Sequence, residues 1–222
     1  MSKVKIQGNA SGTGTLTISA PNTNTDRTLT LPDGAGEILT DASTLSSSNL
    51  SGALPAIDGS ALTGVGGLTD ASQWRLSTTH DISNGNVIGS NGTWEAFDDG
   101  NYGTLGSAMT ESSGVFTFPS TGIWWIHFTS FCELVSTNGY IGAKISTTYN
   151  NGSNWDDAVE NYHTNGSTGW YRPLSMNYIF DVASTSTHKV RFIGLENGGN
   201  MKFFGDTNSG QTYVTFFKLG ET

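Results

Sequence analysis

Two groups of acidic side chains carry the first chemistry worth testing in this chain. Glu95, Asp98 and Asp99 fall within "EAFDDGN", and Asp156, Asp157 and Glu160 fall within "NWDDAVENYH". Glycoside hydrolysis needs two carboxylates about 5–10 Å apart, one of them held protonated. The competing reading is solvated loop acids, and it is preferred: polysaccharide-cleaving enzymes of this kind usually sit on longer, parallel β-helical chains than 222 residues. No catalytic residue is assigned, and the chain is not expected to be an enzyme. Calcium is a better use of Glu95, Asp98 and Asp99, with Asn101 beside them. Ca²⁺ takes 6–8 oxygen ligands, although the D-x-D-x-D-G spacing of a dedicated loop is missing here. No other cofactor is expected.

Other reactive side chains offer less. His80, His127, His163 and His188 share no zinc-like spacing with each other or with the single cysteine. Cys132 lies among apolar residues and reads as a small buried hydrophobe rather than a nucleophile. "GTGTL" and "GVGG" lack the lysine and the following helix of a phosphate loop.

The stretch "KISTTYNNGSNWDDAVENYHTNGSTGWYRP" is rich in aromatic side chains on a polar background. Tyr149, Trp155, Tyr162, His163, Trp170 and Tyr171, with Asp156 beside them, are its candidate binding residues. Amphipathic rings suit sugar faces and protein hot spots. The alternative is that these rings cap the end of a β-sandwich or pack between subunits.

These residues need a scaffold, and the chain after Asp70 reads as one built from β-strands. "GIWWIHFTSFCEL" alternates, with Trp124, Ile126, Phe128, Cys132 and Leu134 on one face and Ile123, Trp125, His127 and Phe131 on the other. "SMNYIFDV" aligns Met176, Tyr178, Phe180 and Val182. "HKVRFIG" pairs Val190 with Phe192, and "TYVTFFKL" sets Val214 and Phe216 against Tyr213, Phe217 and Leu219. Period-2 patterning of this kind marks strands. Asn-Gly pairs punctuate them at Asn84, Asn91, Asn138, Asn151, Asn165 and Asn197, where both residues accept positive φ. The weak helix candidate is "NWDDAVENYH". The expected architecture is all-β: a jelly-roll sandwich head over residues 70–222. Two strands carry large apolar groups on both faces, which predicts a subunit interface through Trp125, Phe131, Tyr213 and Phe217.

The front of the chain differs. Residues before Trp74 include no Phe, Trp or Tyr. Residues 1–42 hold short alternating stretches around Leu16 and Ile18, Leu29 and Leu31, and Ile38, separated by turns. They read as a β-rich stalk or attachment segment, marginal in isolation. Residues 43–69 form a thin Gly/Ser-rich neck. Its Leu50, Leu54, Ile57, Leu62 and Val65 are too sparse for a monomer core, and Pro55 with the glycines opposes a coiled coil. Three copies side by side would bury them on a shared axis. A disordered linker is the competing reading.

Composition narrows the partners. Nineteen acidic against ten basic residues give a net charge of −9, with a charged fraction of 13%. Nucleic-acid binding requires Lys and Arg facing phosphates and is not expected. One cysteine excludes an intrachain disulfide, and no apolar run is long enough to span a bilayer. The N-terminal "MSKVKIQGNASGTG" lacks the apolar core of a secretory signal. Synthesis in a cytoplasm is expected, with any outside role following release by another route.

"GVFTFPSTGIWWIHF" resembles a pattern of the tumour necrosis factor/complement globular-head superfamily, through Gly114, Phe116, Pro119, Gly122, Trp124, Ile126 and Phe128. "GQTYVTFFKLG" resembles that family's last strand, which packs at a trimer axis. "GNASGTGTLTISAPNTNTDRTLTLPDGAGEILT" and "LSGALPAIDGSALTGV" resemble segments of bacteriophage tail fibers. The collagen repeats that precede complement heads are missing. These resemblances imply a homotrimeric jelly-roll head on a slender stalk, carried on the virion tail fiber. They imply recognition of a host surface, either bacterial polysaccharide or an outer-membrane protein, and attachment to other tail proteins through the N-terminal segment. A purely structural fiber or adaptor that docks another virion component is the alternative, and a polysaccharide depolymerase a more distant one.

Overall fold

The computed structural model describes residues 68–222 apart from 136–138, 165–168 and 198, together with residues 10–15, 17, 22–26 and 28. The chain divides into two compact units, Met1–Gly59 and Ser60–Thr222. The expected neck residues Leu50, Leu54, Ile57, Leu62 and Val65 lie outside the described residues, as do Leu16, Ile18, Leu29, Leu31 and Ile38 of the expected stalk strands.

Twelve strands and no helix occur among the described residues of the head. They run β1 (Ala71–Leu76), β2 (Thr78–Ser83), β3 (Trp94–Ala96), β4 (Thr110–Ser112), β5 (Val115–Thr117), β6 (Gly122–Leu134), β7 (Tyr140–Thr148), β8 (Asp156–Thr164), β9 (Tyr171–Val182), β10 (Lys189–Glu196), β11 (Asn200–Asp206) and β12 (Tyr213–Gly220). Seven form one antiparallel sheet in the order β2-β11-β6-β12-β1-β3, with β9 on the other edge of β6. Five form the second, in the order β4-β5-β10-β7-β8. The all-β expectation holds, and its physical basis is visible in β6. All seven of its even-numbered residues from Gly122 to Leu134 are buried, because a period-2 stripe can serve one sandwich core only if the strand stays extended.

The core is aromatic. Phe128 on β6 stacks on Phe192 of β10 across the sandwich at 4.6 Å and 14°. Phe116 meets Trp94, Trp74 and Phe216 at 5.2–5.7 Å. The apolar residues of the "GVFTFPSTGIWWIHF" motif are therefore core residues: Phe116, Trp124, Ile126 and Phe128 are fully buried. Its glycines have a backbone reason. Ser113 (φ 53°) and Gly114 (φ 84°) make the two-residue turn between β4 and β5, and two successive positive φ angles define a type I′ hairpin. Gly122 has φ 134°, and a Cβ there would lie 2.5 Å from the Gly220 carbonyl oxygen.

Two sequence expectations are corrected. The helix candidate "NWDDAVENYH" is mostly β8, an edge strand paired along β7 with Val159 opposite Ile145. Ala158, Val159 and Tyr162 fit a helical spacing as well as a strand, and it is the pairing along β7, where the β-branched Val159 faces Ile145, that decides for the strand. Asn151 (φ 57°) and Gly152 (φ 85°) do take the expected positive φ. They lie within the longer 149–155 connection rather than in a two-residue hairpin, and the pairs at Asn84 and Asn91 fall in the connection between β2 and β3.

Candidate functional site

The outer face of the seven-stranded sheet carries an aromatic band. The odd-numbered residues of β6 point away from the core, and cross-strand partners share a face. Trp125 lies beside Phe217 of β12 and Ile179 of β9. Its ring stacks on Phe217 at 5.6 Å and on His127 at 5.2 Å. Further along β6, Phe131 stacks on Tyr171 at 5.1 Å, and both meet Phe204 of β11. Tyr213 occupies the same face opposite Thr129 and meets Phe97 edge-on. The structure thus brings Trp125, Phe131, Tyr213 and Phe217 onto one surface. Ile179, Leu219 and Tyr171 on it are about half exposed, at 58%, 48% and 53%. Ile179 and Phe204 escaped the sequence reading. The signal for Ile179 was there: it is the large apolar residue on the polar face of "SMNYIFDV".

At the β1 end of this face the acidic trio takes a role the sequence did not suggest. Arg75 on β1 is fully buried, and its guanidinium meets Glu95 at 2.9 Å, Asp98 at 2.7 Å and Asp99 at 2.7 Å. The ring of Phe97 lies 4.7 Å from the guanidinium carbon. Burial alone would lower the pKa of Arg75, but the hydrogen bonds it donates to Glu95 and Asp99 raise it above its ordinary value. The calcium reading of Glu95, Asp98 and Asp99 is thereby displaced. All three carboxylates already turn an oxygen to the Arg75 guanidinium, which engages them in place of a metal and offsets one of their three negative charges. The trio instead pins the 95–99 segment over β1. Beside it lies a hollow of about 500 Å³ lined by Gln73, Phe97, Tyr102, Thr215 and Phe217 among others. Its wall is fixed where the backbone N–H of Gln73 donates to the Tyr102 hydroxyl at 2.9 Å.

The candidate binding residues do not form one surface. Tyr149 and Trp155 belong to the 149–155 connection at one end of β8, whereas Tyr162 and His163 lie toward the other, seven and eight residues beyond Trp155 and roughly 23–26 Å along the strand. The expected loop is largely strand, which is why its aromatics separate. Asp156 opens β8 opposite Thr147. Tyr162 packs edge-on against Tyr140 and donates to Glu160. That hydrogen bond, more than burial, pushes its phenol up to about 12. His163 Nε2 meets the Pro173 carbonyl at 2.7 Å, and Asn161 Nδ2 donates to the Ser175 carbonyl at 3.1 Å. These two bonds clip β8 of one sheet to β9 of the other, so His163 joins the sandwich rather than a binding loop. Trp170 stacks with Arg172 at 4.8 Å, and Tyr171 belongs to the aromatic band. Trp155 is different, because the guanidinium carbon of Arg191 lies over its ring, 3.9 Å from the centre. Burial lowers the pKa of Arg191, against the opposing charge of Asp157.

Two further side chains settle as structural. Cys132 is buried and its Sγ–H donates to the Arg172 carbonyl at 3.1 Å. Burial pushes its thiol up to about 12, which suppresses the thiolate a nucleophile needs. His80 accepts the Gly89 N–H at Nδ1 at 2.8 Å, and burial lowers its pKa.

No family model matches the sequence, and no curated protein matches it. Among solved structures, Eiger TNF from S. frugiperda aligns with a TM-score of 0.50 and 10% identity, covering 68% of this chain and 93% of that one. Two structures of murine APRIL, at pH 8.5 and pH 5.0, align with TM-scores of 0.45 and 0.47 and identities of 10% and 9%; each covers 68% of this chain and 98% of its own. The likeness to Eiger TNF is one of fold: the head of this chain is a jelly-roll sandwich of the tumour necrosis factor kind.

Proposed function

We propose that the chain is a bacteriophage tail fiber protein, without catalytic activity, whose jelly-roll heads assemble as a homotrimer and attach the virion to the surface of its host. The observation that carries the assembly is the aromatic band of Trp125, Phe217, Phe131 and Tyr171 on the outer face of the seven-stranded sheet. Large aromatic side chains gathered on the outer face of a sheet favour cover by another protein. Threefold symmetry would let the band meet copies of itself, and the aromatic-free front third then becomes a stalk stabilised by the same symmetry. The resemblance of the front segments to tail fibers supports placement on the virion, with the N-terminal segment docking other tail proteins and the head turned to bacterial polysaccharide or an outer-membrane protein.

Light scattering of the full chain tests the assembly, and the expected mass is three times 23.5 kDa. Adsorption competition tests the attachment: purified full-length protein added to host cells is expected to block virus binding. A well-ordered monomer at micromolar concentration overturns the first part, and a trimer that binds virion components but not cells overturns the second.

A further inference from the structure

The outer face of the five-stranded sheet carries three cations beside two acids, Asp157 opposite Ser146 and Glu160 opposite Lys144. Register pairs Lys189 with Thr148, Arg191 with Ser146 and Ile193 with Lys144 across β10 and β7, so all six share that face. Three of the ten lysines and arginines of the chain therefore lie there. Lys144 is neutralised by Asp157. Arg191 and Lys189 form no ion pair among the described residues. The Arg191 side chain makes no hydrogen bond among them either, and its buried Nε is without a partner. The Oγ of Ser146, its fully buried cross-strand neighbour, is also without one.

A guanidinium with a buried, unpartnered Nε and no acid on its fork favours something planar and anionic that can meet it. Its plane is already set, because Trp155 lies against it at 3.9 Å. The connection that carries Trp155 is itself braced. The Thr148 hydroxyl accepts from the backbone N–H groups of Asn150 and Gly152, at 3.3 and 3.1 Å. Asn150 Oδ1 accepts from Asn154 N at 2.9 Å, and Asn151 N donates to the Thr187 carbonyl at 2.9 Å. The acids nearest the site are engaged elsewhere, Asp157 with Lys144 and Glu160 with Tyr162.

We infer that Arg191, oriented by Trp155 and backed by Ser146, is a binding site for the carboxylate of an acidic sugar. A planar carboxylate matches the guanidinium fork with two parallel hydrogen bonds, a geometry a lysine cannot offer. Lys189 stands two residues along the same strand, about 7 Å away, and meets a second acid group of the same glycan. The chemical class is a uronic-acid-containing oligosaccharide. The inference rests on the proposed attachment to a host surface and specifies the ligand.

Calorimetric titration of the full-length protein with tri-galacturonic acid, against neutral galactotriose, tests it. The acidic trisaccharide is expected to bind and the neutral one not to. Arg191→Gln is expected to weaken binding by roughly 10- to 100-fold, the range for losing a charged hydrogen-bond pair. Arg191→Lys retains charge without the fork and falls between. Trp155→Leu, which leaves the core untouched, weakens binding severalfold by releasing the guanidinium plane. Lys189→Gln weakens it less and flattens its dependence on salt. Equal binding of the two trisaccharides, or wild-type affinity in both the Arg191→Gln and Trp155→Leu variants, overturns the inference. Tighter binding of glucose 6-phosphate than of tri-galacturonate overturns the carboxylate assignment. Host adsorption that persists in Arg191→Gln without any tri-galacturonate binding by the wild type sinks this site and leaves host attachment standing.

Discussion

Trp125 and Phe217 stand side by side on β6 and β12, their rings stacked at 5.6 Å and 24° on the side of the sheet away from the core. The strand neighbours of Trp125 that point inward, Trp124 and Ile126, are fully buried. Two consecutive tryptophans thus serve two different surfaces, one inside the subunit and one outside it.

That division predicts separable effects. Trp125→Glu places a charge on the outer face without opening the core. It is expected to convert the proposed trimer to monomers in light scattering while far-ultraviolet circular dichroism is retained. Trp124→Ala opens a cavity instead and is expected to cost about 3–5 kcal/mol of stability in denaturant unfolding. An unchanged mass for Trp125→Glu would remove this face from the assembly.

Arg75 is the hub for Glu95, Asp98 and Asp99. Arg75→Met leaves three carboxylates crowded without a cation. A loss of about 2 kcal/mol is expected, below the 3–5 kcal/mol of a fully enclosed pair because the acids are part-exposed. Since the trio is occupied, the wild-type melting temperature is expected to be the same in millimolar calcium and in EDTA. A calcium-dependent rise would restore the metal reading.

A buried histidine and a half-buried glutamate predict opposite pH effects. His80 has a folded pKa below its ordinary 6.5, from burial. The unfolded chain then binds the extra proton first, so this contribution to stability is whole above pH 6.5 and is lost as pH falls toward the lowered folded value. Replacing His80 by Asn, which retains an acceptor for Gly89 N–H, is expected to flatten that loss in melts between pH 5 and 7.5 (a window around the ordinary histidine value).

Glu111 is raised above its ordinary 4.5, chiefly by burial, with the Gly114 N–H bond opposing. Its charge is a burden at neutral pH that lightens as pH falls through the raised value. Glu111→Gln is expected to stabilise the head at pH 7 and to have no benefit near pH 4. Equal effects at both values would show that the side chain is solvated.

Gly122 carries φ 134° with the Gly220 carbonyl behind it. Gly122→Ala is expected to cost about 2 kcal/mol, or roughly 4–8 °C in melting temperature. A melt within 1 °C of wild type (well under that expected shift) would mean the backbone relaxes there.

The sequence by itself determined the strands that alternate. Val214 and Phe216 must face opposite Tyr213 and Phe217 in any extended chain, and burial of one pair follows from hydrophobicity alone. It also determined the aromatic divide near Trp74 and the glycines at 114 and 122, because a positive φ leaves a chemical signature. It could not show that "DDAVENYHT" is an edge strand, since two adjacent apolar residues fit either period. Only the tertiary structure decided that Tyr149 and Trp155 part from Tyr162 and His163, that Glu95, Asp98 and Asp99 converge on Arg75, and that Arg191 lies beneath Trp155. Each of these pairings joins residues about 20 or more positions apart or depends on how one strand is paired, and ladder register is set by packing across the whole sandwich, not by neighbours in the chain.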